Sequence, residues 1–163
     1  MKPATTSAEA QTDPVLPTAA PGRDSLARGM RLASVVVNVF DLELSTGFYS
    51  GLLDLEVTLC ATTAALLVGA DGSQLYLRSR GRQAPHMPAG IGVHCALWTA
   101  SSEGELRRAE RFLKARDAHT ASHSADGFVW VEGRDPSGIP VVITYPGPDE
   151  SARNAIISRV YSW

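Results

Sequence analysis

The fold is decided by a stretch of fifteen residues, from Val35 to Tyr49, that reads VVVNVFDLELSTGFY. Its first part lies in a strand predicted over residues 32–40, in which successive side chains point to opposite faces. One face is wholly apolar and the other is mixed: the first consists of Ala33, Val35, Val37 and Val39, and the second of Ser34, Val36 and Asn38. Asp41 follows as the predicted N-cap of a helix. The apolar face is therefore expected to pack on helices, and the mixed face to line a cleft.

Three more predicted strands complete a first unit. They cover residues 55–60, 64–68 and 74–78, and the last two form a hairpin around the strong turn dipeptide Asp71-Gly72. The helix is expected to bury one stripe of side chains, Leu44, Phe48 and Leu52. Alternation in the last strand places two residues towards the helix and the others towards the cleft: Leu75 and Leu77 inward, Gln74, Tyr76 and Arg78 outward.

A second unit repeats this order from residue 93. Its opening strand, 93–99, is predicted to turn Val93, Cys95 and Leu97 to the helix, and His94, Ala96 and Trp98 to the cleft. The helix that follows begins with a capping box, Ser102 to Glu105. Its buried stripe is predicted as Leu106, Ala109, Leu113 and the adjacent Phe112. Strands are predicted over residues 119–124, 127–132 and 139–145, with a turn at residues 135–138 that Asp135 caps. Phe128 and Trp130 are expected to share one face.

Composition excludes several classes of partner. The chain has 163 residues, a net charge of −2 and 44% hydrophobic residues, which suits one domain or two small fused modules. The single basic run, residues 78–82, enters a linker, so we expect no nucleic acid as a partner. No apolar stretch is long enough to span a membrane. Cys60 and Cys95 have no paired spacing, which indicates free thiols in a reducing cytoplasm.

The predicted domain covers residues 30–146, with module one at 30–80, a linker at 81–92 and module two at 93–146. Residues 1–29 have no periodic apolar pattern and are rich in Pro, Ala, Thr and Ser, which predicts a disordered tail. In the linker, Gly90-Ile91-Gly92 precedes a strand rather than following one, which argues against a dinucleotide fingerprint. Residues 147–163 form a C-terminal appendage that is apolar enough to dock, through Ile156, Ile157, Val160, Tyr161 and Trp163.

The duplicated unit resembles the vicinal oxygen chelate superfamily, the group of glyoxalases, bleomycin-resistance proteins and extradiol dioxygenases. The resemblance rests on residues 35–49, on residues 93–97 (VHCAL) and on the turn 135–138 (DPSG). It implies an α+β fold in which two paired βαβββ modules form a curved mixed sheet around a cleft, with helices on the outer face. It also implies a homodimer.

In metal-dependent members of that superfamily, four cleft positions hold His, Glu or Gln ligands. The resemblance places these positions at Ser34, Tyr76, His94 and Val142. A divalent site normally needs at least three good protein ligands, and only His94 is one. A metal centre is therefore not expected; if one is present, a slipped register would pair His94 with Glu132 or His123. No other cofactor is indicated.

Aromatic and neutral side chains are expected to furnish the cleft instead. The predicted ligand-binding residues are Ser34, Asn38, Tyr76, His94, Trp98, Phe128, Trp130 and Val142. Aromatic rings stack on flat ligands, and a few polar groups orient them. The sequence thus favours a metal-free protein that binds a planar or hydrophobic compound, and replacing Trp98 is expected to weaken that binding. The alternative is an enzyme of the superfamily, a lyase, isomerase or extradiol-type dioxygenase, either with displaced metal ligands or with metal-free catalysis through His94, the best catalytic candidate.

Overall fold

The structure, a computed structural model, describes residues 32–85, 94–125 and 127–147. The chain divides into a unit of residues 1–31, which lies outside the described residues, and a unit of residues 32–163. The described elements are, in chain order, β1 (Ser34–Val39), α1 (Leu42–Leu53), β2 (Glu56–Cys60), β3 (Ala64–Val68), β4 (Gln74–Ser79), β5 (Ala96–Thr99), α2 (Glu103–Lys114), β6 (His119–Ala125), β7 (Phe128–Arg134) and β8 (Pro140–Tyr145).

The strands form two four-stranded sheets with the same connectivity. Their orders are β1-β4-β3-β2 and β5-β8-β7-β6, and in each sheet the opening strand pairs in parallel with the last one while the other pairs are antiparallel. Each sheet carries one helix between its first and second strands. We call β1 to β4 with α1 module one, and β5 to β8 with α2 module two. The predicted α+β class and the duplicated βαβββ unit are confirmed.

Both helices begin where the sequence predicts. Asp41 Oδ1 accepts a hydrogen bond from Leu44 N at 3.1 Å, and Ser102 Oγ accepts one from Glu105 N at 3.2 Å. In the stripe predicted for α2, Leu106, Ala109 and Leu113 are buried and Phe112 is partly buried. Leu44 of α1 is exposed, so its predicted burial is wrong. Ser45 and Tyr49 join Phe48 and Leu52 on the buried side of α1 instead, because the stripe is turned by one residue towards the sheet.

The two modules join through their helices. The rings of Phe48 in α1 and Phe112 in α2 meet edge to face, with centroids 5.8 Å apart. Arg108 in α2 donates hydrogen bonds to the carbonyl oxygens of Gly51 at 2.9 Å and Leu52 at 3.0 Å. One hydrophobic core therefore includes side chains from both helices and both sheets. The face of each sheet that is turned away from this core is called its helix-distal face.

A buried turn adds a second link between the modules. Asp135 Oδ1 accepts hydrogen bonds from Ser137 N and Ile139 N, both at 2.8 Å, which confirms its predicted capping role. Its Oδ2 accepts a hydrogen bond from the Tyr49 hydroxyl at 3.1 Å. Burial, reinforced by the charge of Asp135, raises the pKa of Tyr49 far above its usual range, so this hydroxyl keeps its proton and remains a donor.

Some predictions fall outside the described residues. They concern the N-terminal tail 1–29, the linker from residue 86 onwards, Val93 and most of the C-terminal appendage. Among the described residues, no helix is long and apolar enough to cross a membrane.

Candidate functional site

The helix-distal face of module two carries a cluster of aromatic rings. Phe128 and Trp130 are two residues apart on β7, so their side chains lie on the same side of the sheet. Both are buried, and their ring centroids are 5.3 Å apart. Across the strand pair, His123 of β6 lies opposite Trp130, and the two rings stack with centroids 4.9 Å apart at 26°. The prediction that Phe128 and Trp130 share a face is confirmed. The three rings form a contiguous aromatic cluster, in which the planes of Phe128 and His123 are inclined to that of Trp130 by 34° and 26°.

A buried carboxylate lies beside these rings. Glu132 follows Trp130 on the same face, and its Oε1 accepts a hydrogen bond from the Trp130 indole Nε1 at 2.9 Å. His123 Nε2 lies 3.2 Å from the same oxygen, although the two do not form a regular hydrogen bond. Burying a carboxylate costs free energy unless hydrogen-bond donors surround it. The position of Glu132 beside Trp130 and His123 is therefore a specific feature of this face.

Two side chains of strand β8 lie on the same side of the sheet, next to these groups. Val142 lies opposite Glu132 and Thr144 opposite Trp130, and both side chains are fully buried. The predicted placement of Val142 on the helix-distal face is confirmed. Thr144 Oγ1 donates a hydrogen bond to the Trp98 carbonyl oxygen at 3.2 Å. We call the whole set the aromatic face, which consists of His123, Phe128, Trp130, Glu132, Val142 and Thr144.

The alternation predicted for β5 is wrong. Trp98 pairs with Ile143 and packs on the hydrophobic core, whereas Leu97 pairs with Val142 and is partly exposed on the helix-distal face. Trp98 therefore does not belong to the aromatic face. The physical reason is burial: the indole of Trp98 removes more apolar surface from water in the shared core than Leu97 would.

His94 also lies outside the expected strand. Strand β5 begins at Ala96, so His94 precedes it, and its side chain is exposed. The predicted start of this strand at residue 93 is wrong, because the parallel pairing with β8 begins only at Ala96 and Val141; the place of His94 in the binding site stays a prediction. The sequence indicates His123 and Glu132 only as substitutes for missing metal ligands. Their pairing depends on the register of β6 and β7; only the i, i+2 spacing of Trp130 and Glu132 was visible in the sequence.

Module one presents a different helix-distal face. Ser34, Asn38 and Tyr76 lie there as predicted, but on the other sheet from Phe128 and Trp130. The expected ligand-binding residues are thus divided between two sheets. The strand registers also align one apolar side chain from each strand in a row across this face: Val36, Tyr76, Leu66 and Leu59.

Donors suited to a divalent metal are few on the helix-distal faces that the structure describes. The four positions implied by the resemblance lie on different sheets or lack a suitable atom, namely Ser34, Tyr76, His94 and Val142. Within the described ranges, no group of three or more His, Cys, Asp or Glu side chains is placed to hold an ion. His123 and Glu132 supply two donors, whereas a catalytic metal site normally takes three protein ligands.

Comparison with known proteins identifies the fold. No protein-family model and no curated protein matches the sequence. Among solved structures, a glyoxylase/bleomycin resistance protein/dioxygenase domain from Frankia sp. EAN1pec superposes with a TM-score of 0.61 at 20% identity, over 71% of this chain and 96% of that one. The chain has the vicinal oxygen chelate fold. The resemblance implied by residues 35–49, 93–97 and 135–138 is confirmed at this level.

Two further structures with this fold match over a similar extent. A glyoxalase/dioxygenase from Nostoc punctiforme has a TM-score of 0.60 at 19% identity, over 80% of this chain and 97% of that one. A lactoylglutathione lyase from Agrobacterium tumefaciens has a TM-score of 0.57 at 16% identity, over 72% and 94%. At these identities the likeness concerns the vicinal oxygen chelate fold alone, so the function has to be argued from the site.

Proposed function

We propose that this protein binds a planar, hydrophobic small molecule on its aromatic face, without a divalent metal. The observation that carries the proposal is the stacked cluster of His123, Trp130 and Phe128 beside the buried Glu132. Small-molecule sites typically combine apolar and aromatic walls with a few placed polar groups, and this face has that composition. The known bleomycin-resistance type of vicinal oxygen chelate protein makes sequestration of such a compound a consistent role.

The carboxylate of Glu132 indicates which class of planar ligand the aromatic face would prefer. Glu132 is the acidic group of the aromatic face, and its oxygen Oε1 faces the edge of the Trp130 ring and the His123 imidazole. A planar ligand with a cationic or hydrogen-bond-donating group at its edge would complement this carboxylate, because charge-assisted hydrogen bonds are the stronger ones. We therefore propose planar aromatic cations as the preferred class.

A three-compound panel tests this proposal by titration. It comprises proflavine, a planar cation, acridine, its mostly neutral analogue at pH 7.4, and the anionic dye anilinonaphthalene sulfonate. We expect proflavine to bind most tightly. Trp130→Ala should weaken its binding by about 1–3 kcal/mol through lost stacking and burial. Glu132→Gln should weaken proflavine more than acridine, by about 1.5–3 kcal/mol, the usual loss for a hydrogen bond to a charged group.

The same titration separates this proposal from an enzyme with displaced metal ligands. Chelator treatment is expected to leave the affinity for proflavine unchanged, because the face offers two donors rather than three. Affinity that disappears with chelator and returns with a divalent ion would contradict the metal-free proposal. Unchanged affinity in Trp130→Ala would contradict the aromatic face as the site. His94, exposed and ahead of β5, gives no support to catalysis through that residue.

The setting of the protein is a further part of this proposal. Cys60 is exposed, Cys95 is half-buried, and both are free thiols. Burial raises the pKa of the Cys95 thiol, so it stays protonated at neutral pH. Unpaired thiols suit a reducing compartment, and we therefore propose a cytoplasmic protein. We also propose that it is a homodimer.

A further inference from the structure

Four described side chains surround the indole of Trp130. Phe128 and Glu132 flank it along β7, while His123 of β6 and Thr144 of β8 lie opposite it in the neighbouring strands. Trp130 is only 5% exposed. Aromatic rings pack against one another at centroid distances of about 4.5–7 Å, which is the space that these neighbours fill. One of them therefore has to move when a planar molecule stacks on Trp130.

Three of the four neighbours are held in place. Thr144 is fully buried, and its hydroxyl donates a hydrogen bond to the Trp98 carbonyl oxygen at 3.2 Å. Glu132 is 6% exposed and accepts a hydrogen bond from the Trp130 indole at 2.9 Å. Phe128 is 5% exposed. Displacing any of these three side chains would leave a buried polar group without its partner or return apolar surface to water, and both cost free energy.

His123 is the fourth neighbour and is held less firmly. Its side chain is 29% exposed. Its Nε2 atom lies 3.2 Å from Glu132 Oε1, but makes no hydrogen bond of regular geometry in the described part of the chain. Its main contact is the stacking of its imidazole on Trp130, with centroids 4.9 Å apart and 26° between the planes. A planar ligand makes the same kind of contact, so it can take the place of this ring.

The surroundings of β6 leave room for the imidazole to move. Strand β6 is an edge strand of its sheet. The hydroxyl of Ser122 donates a hydrogen bond to Glu110 of α2 at 2.8 Å, so alternation turns His123 to the helix-distal side. The preceding residue on that side of β6 is Ala121, whose side chain is a single methyl group. An imidazole that rotates off Trp130 towards Ala121 therefore meets only this methyl group among the described side chains of that strand.

We propose that the imidazole of His123 occupies the place on Trp130 where a planar ligand stacks, and that the ligand displaces it on binding. The displacement rests on the proposed function and locates its binding site more closely. A bound ring lies on the indole between β6 and β7, and a larger ring system extends over Phe128, whose centroid is 5.3 Å from that of Trp130. Because a ligand stacks only where His123 has moved, the stacked imidazole lowers the apparent affinity.

Titration of full-length variants with proflavine and acridine tests the displacement. We expect His123→Ala to bind both compounds about two- to tenfold more tightly, because the competing ring is gone. His123→Phe returns a ring to the same place and should cancel the gain. His119→Ala is the matched control, since it removes an imidazole from the same strand that contacts Ser122 rather than Trp130. Its affinity for both compounds should equal that of the unaltered chain.

Acrylamide quenching of Trp130 fluorescence tests the same contact without any ligand. The full-length chain carrying Trp98→Phe and Trp163→Phe retains Trp130 as its single tryptophan. In this background we expect the quenching constant to rise in His123→Ala, because the indole loses the ring that covers it, and to stay unchanged in His123→Phe and His119→Ala. His123→Ser is a second small variant that guards against misfolding of the first, and thermal unfolding shows which variants are folded.

The two kinds of failure have different results. Affinity that falls or stays constant when His123 becomes Ala or Ser would overturn the proposal, because the imidazole would then be part of the wall that holds the ligand; a loss of affinity in Trp130→Ala would still uphold the proposed function. Quenching that stays constant in both small variants would also overturn the proposal. Failure of the unaltered chain to bind either compound would contradict the proposed function itself.

Discussion

Among single residues, Trp98 and Trp130 lie on opposite sides of one sheet, so we expect their replacement to affect stability and ligand binding differently. Trp98 packs on the core and Trp130 belongs to the aromatic face. We expect Trp98→Ala to lower the free energy of unfolding by about 3 kcal/mol, the usual scale for removing a large core side chain, while folded protein keeps its affinity for proflavine. Urea unfolding and titration measure the two quantities. A larger loss of affinity in Trp98→Ala than in Trp130→Ala would contradict the orientation of β5.

Local chemistry explains which residue predictions were confirmed. Asp41, Ser102 and Asp135 each accept hydrogen bonds from backbone groups two to four residues away. Their capping roles therefore depend only on residues close in the sequence. The contact of His123 with Glu132 depends instead on the register between two strands, and short-range patterns do not fix that register. The sequence therefore predicted the caps but not the polar centre of the site.

At the scale of elements, two glycines of α1 offer a matched pair. Gly47 has open space around the position of a Cβ, whereas a Cβ on Gly51 would lie 2.5 Å from Phe112 Cε2 in α2. We expect Gly47→Ala to stabilise the protein by about 0.5–1 kcal/mol, because alanine is the better helix former. Gly51→Ala should destabilise it by about 1 kcal/mol or more, because the Phe112 ring has to move. Denaturant unfolding of both variants checks this; equal stabilities would contradict the close helix packing.

The link between α2 and β6 predicts a pH dependence. Glu110 accepts hydrogen bonds from Lys114 Nζ and Ser122 Oγ, both at 2.8 Å. Chiefly because of Lys114, the pKa of Glu110 falls to about 2 in the folded protein. A lowered folded pKa contributes stability above the unfolded value of about 4.3, and this is lost as the pH falls towards 2.

Glu110→Gln is therefore expected to cost about 1 kcal/mol at neutral pH, with the deficit shrinking between pH 4.5 and 2. Glu103→Gln, on the same helix but exposed and paired only with Arg107 at 3.3 Å in the described structure, serves as the control and should change stability less. Unfolding curves at several pH values measure both. A deficit that is constant with pH would contradict the role of the Glu110 charge.

Most helices and strands were predictable from the sequence, but the buried face of β5 was not. Strands β1, β3 and β4 contain enough residues for alternation to decide their faces, and β3 has the predicted bounds. Strand β5 has four paired residues, and each of its two possible faces carries a large apolar side chain, Leu97 or Trp98. Only the partner strand β8 decides between them, because its buried Ile143 takes Trp98 as a neighbour.

At the scale of the whole molecule, the open face of module one predicts self-association. Val36 and Leu59, in the apolar row of that face, are 63% and 66% exposed. Contiguous apolar surface on a soluble protein commonly marks an interaction site, and two-fold pairing is the commonest assembly. We expect a homodimer by sedimentation at micromolar concentration, and a monomer for Val36→Asp.

A control keeps this prediction specific. Ser101→Asp places the same charge on an exposed residue just before α2, away from the apolar row, and should leave the dimer intact. A monomeric unaltered chain would contradict the prediction.

The architecture could be predicted because its duplicated pattern resembles a known superfamily, whereas the joining of the modules through Phe48, Phe112 and Arg108 could not. That joining depends on shape complementarity between surfaces far apart in the sequence.

The most direct measurement is a crystal structure of the protein with its tightest-binding compound from the panel. The account predicts a planar molecule stacked against Trp130 and Phe128, with its polar edge towards Glu132. A ligand seated on module one, or a divalent ion held by three or more protein atoms beside the compound, would contradict it.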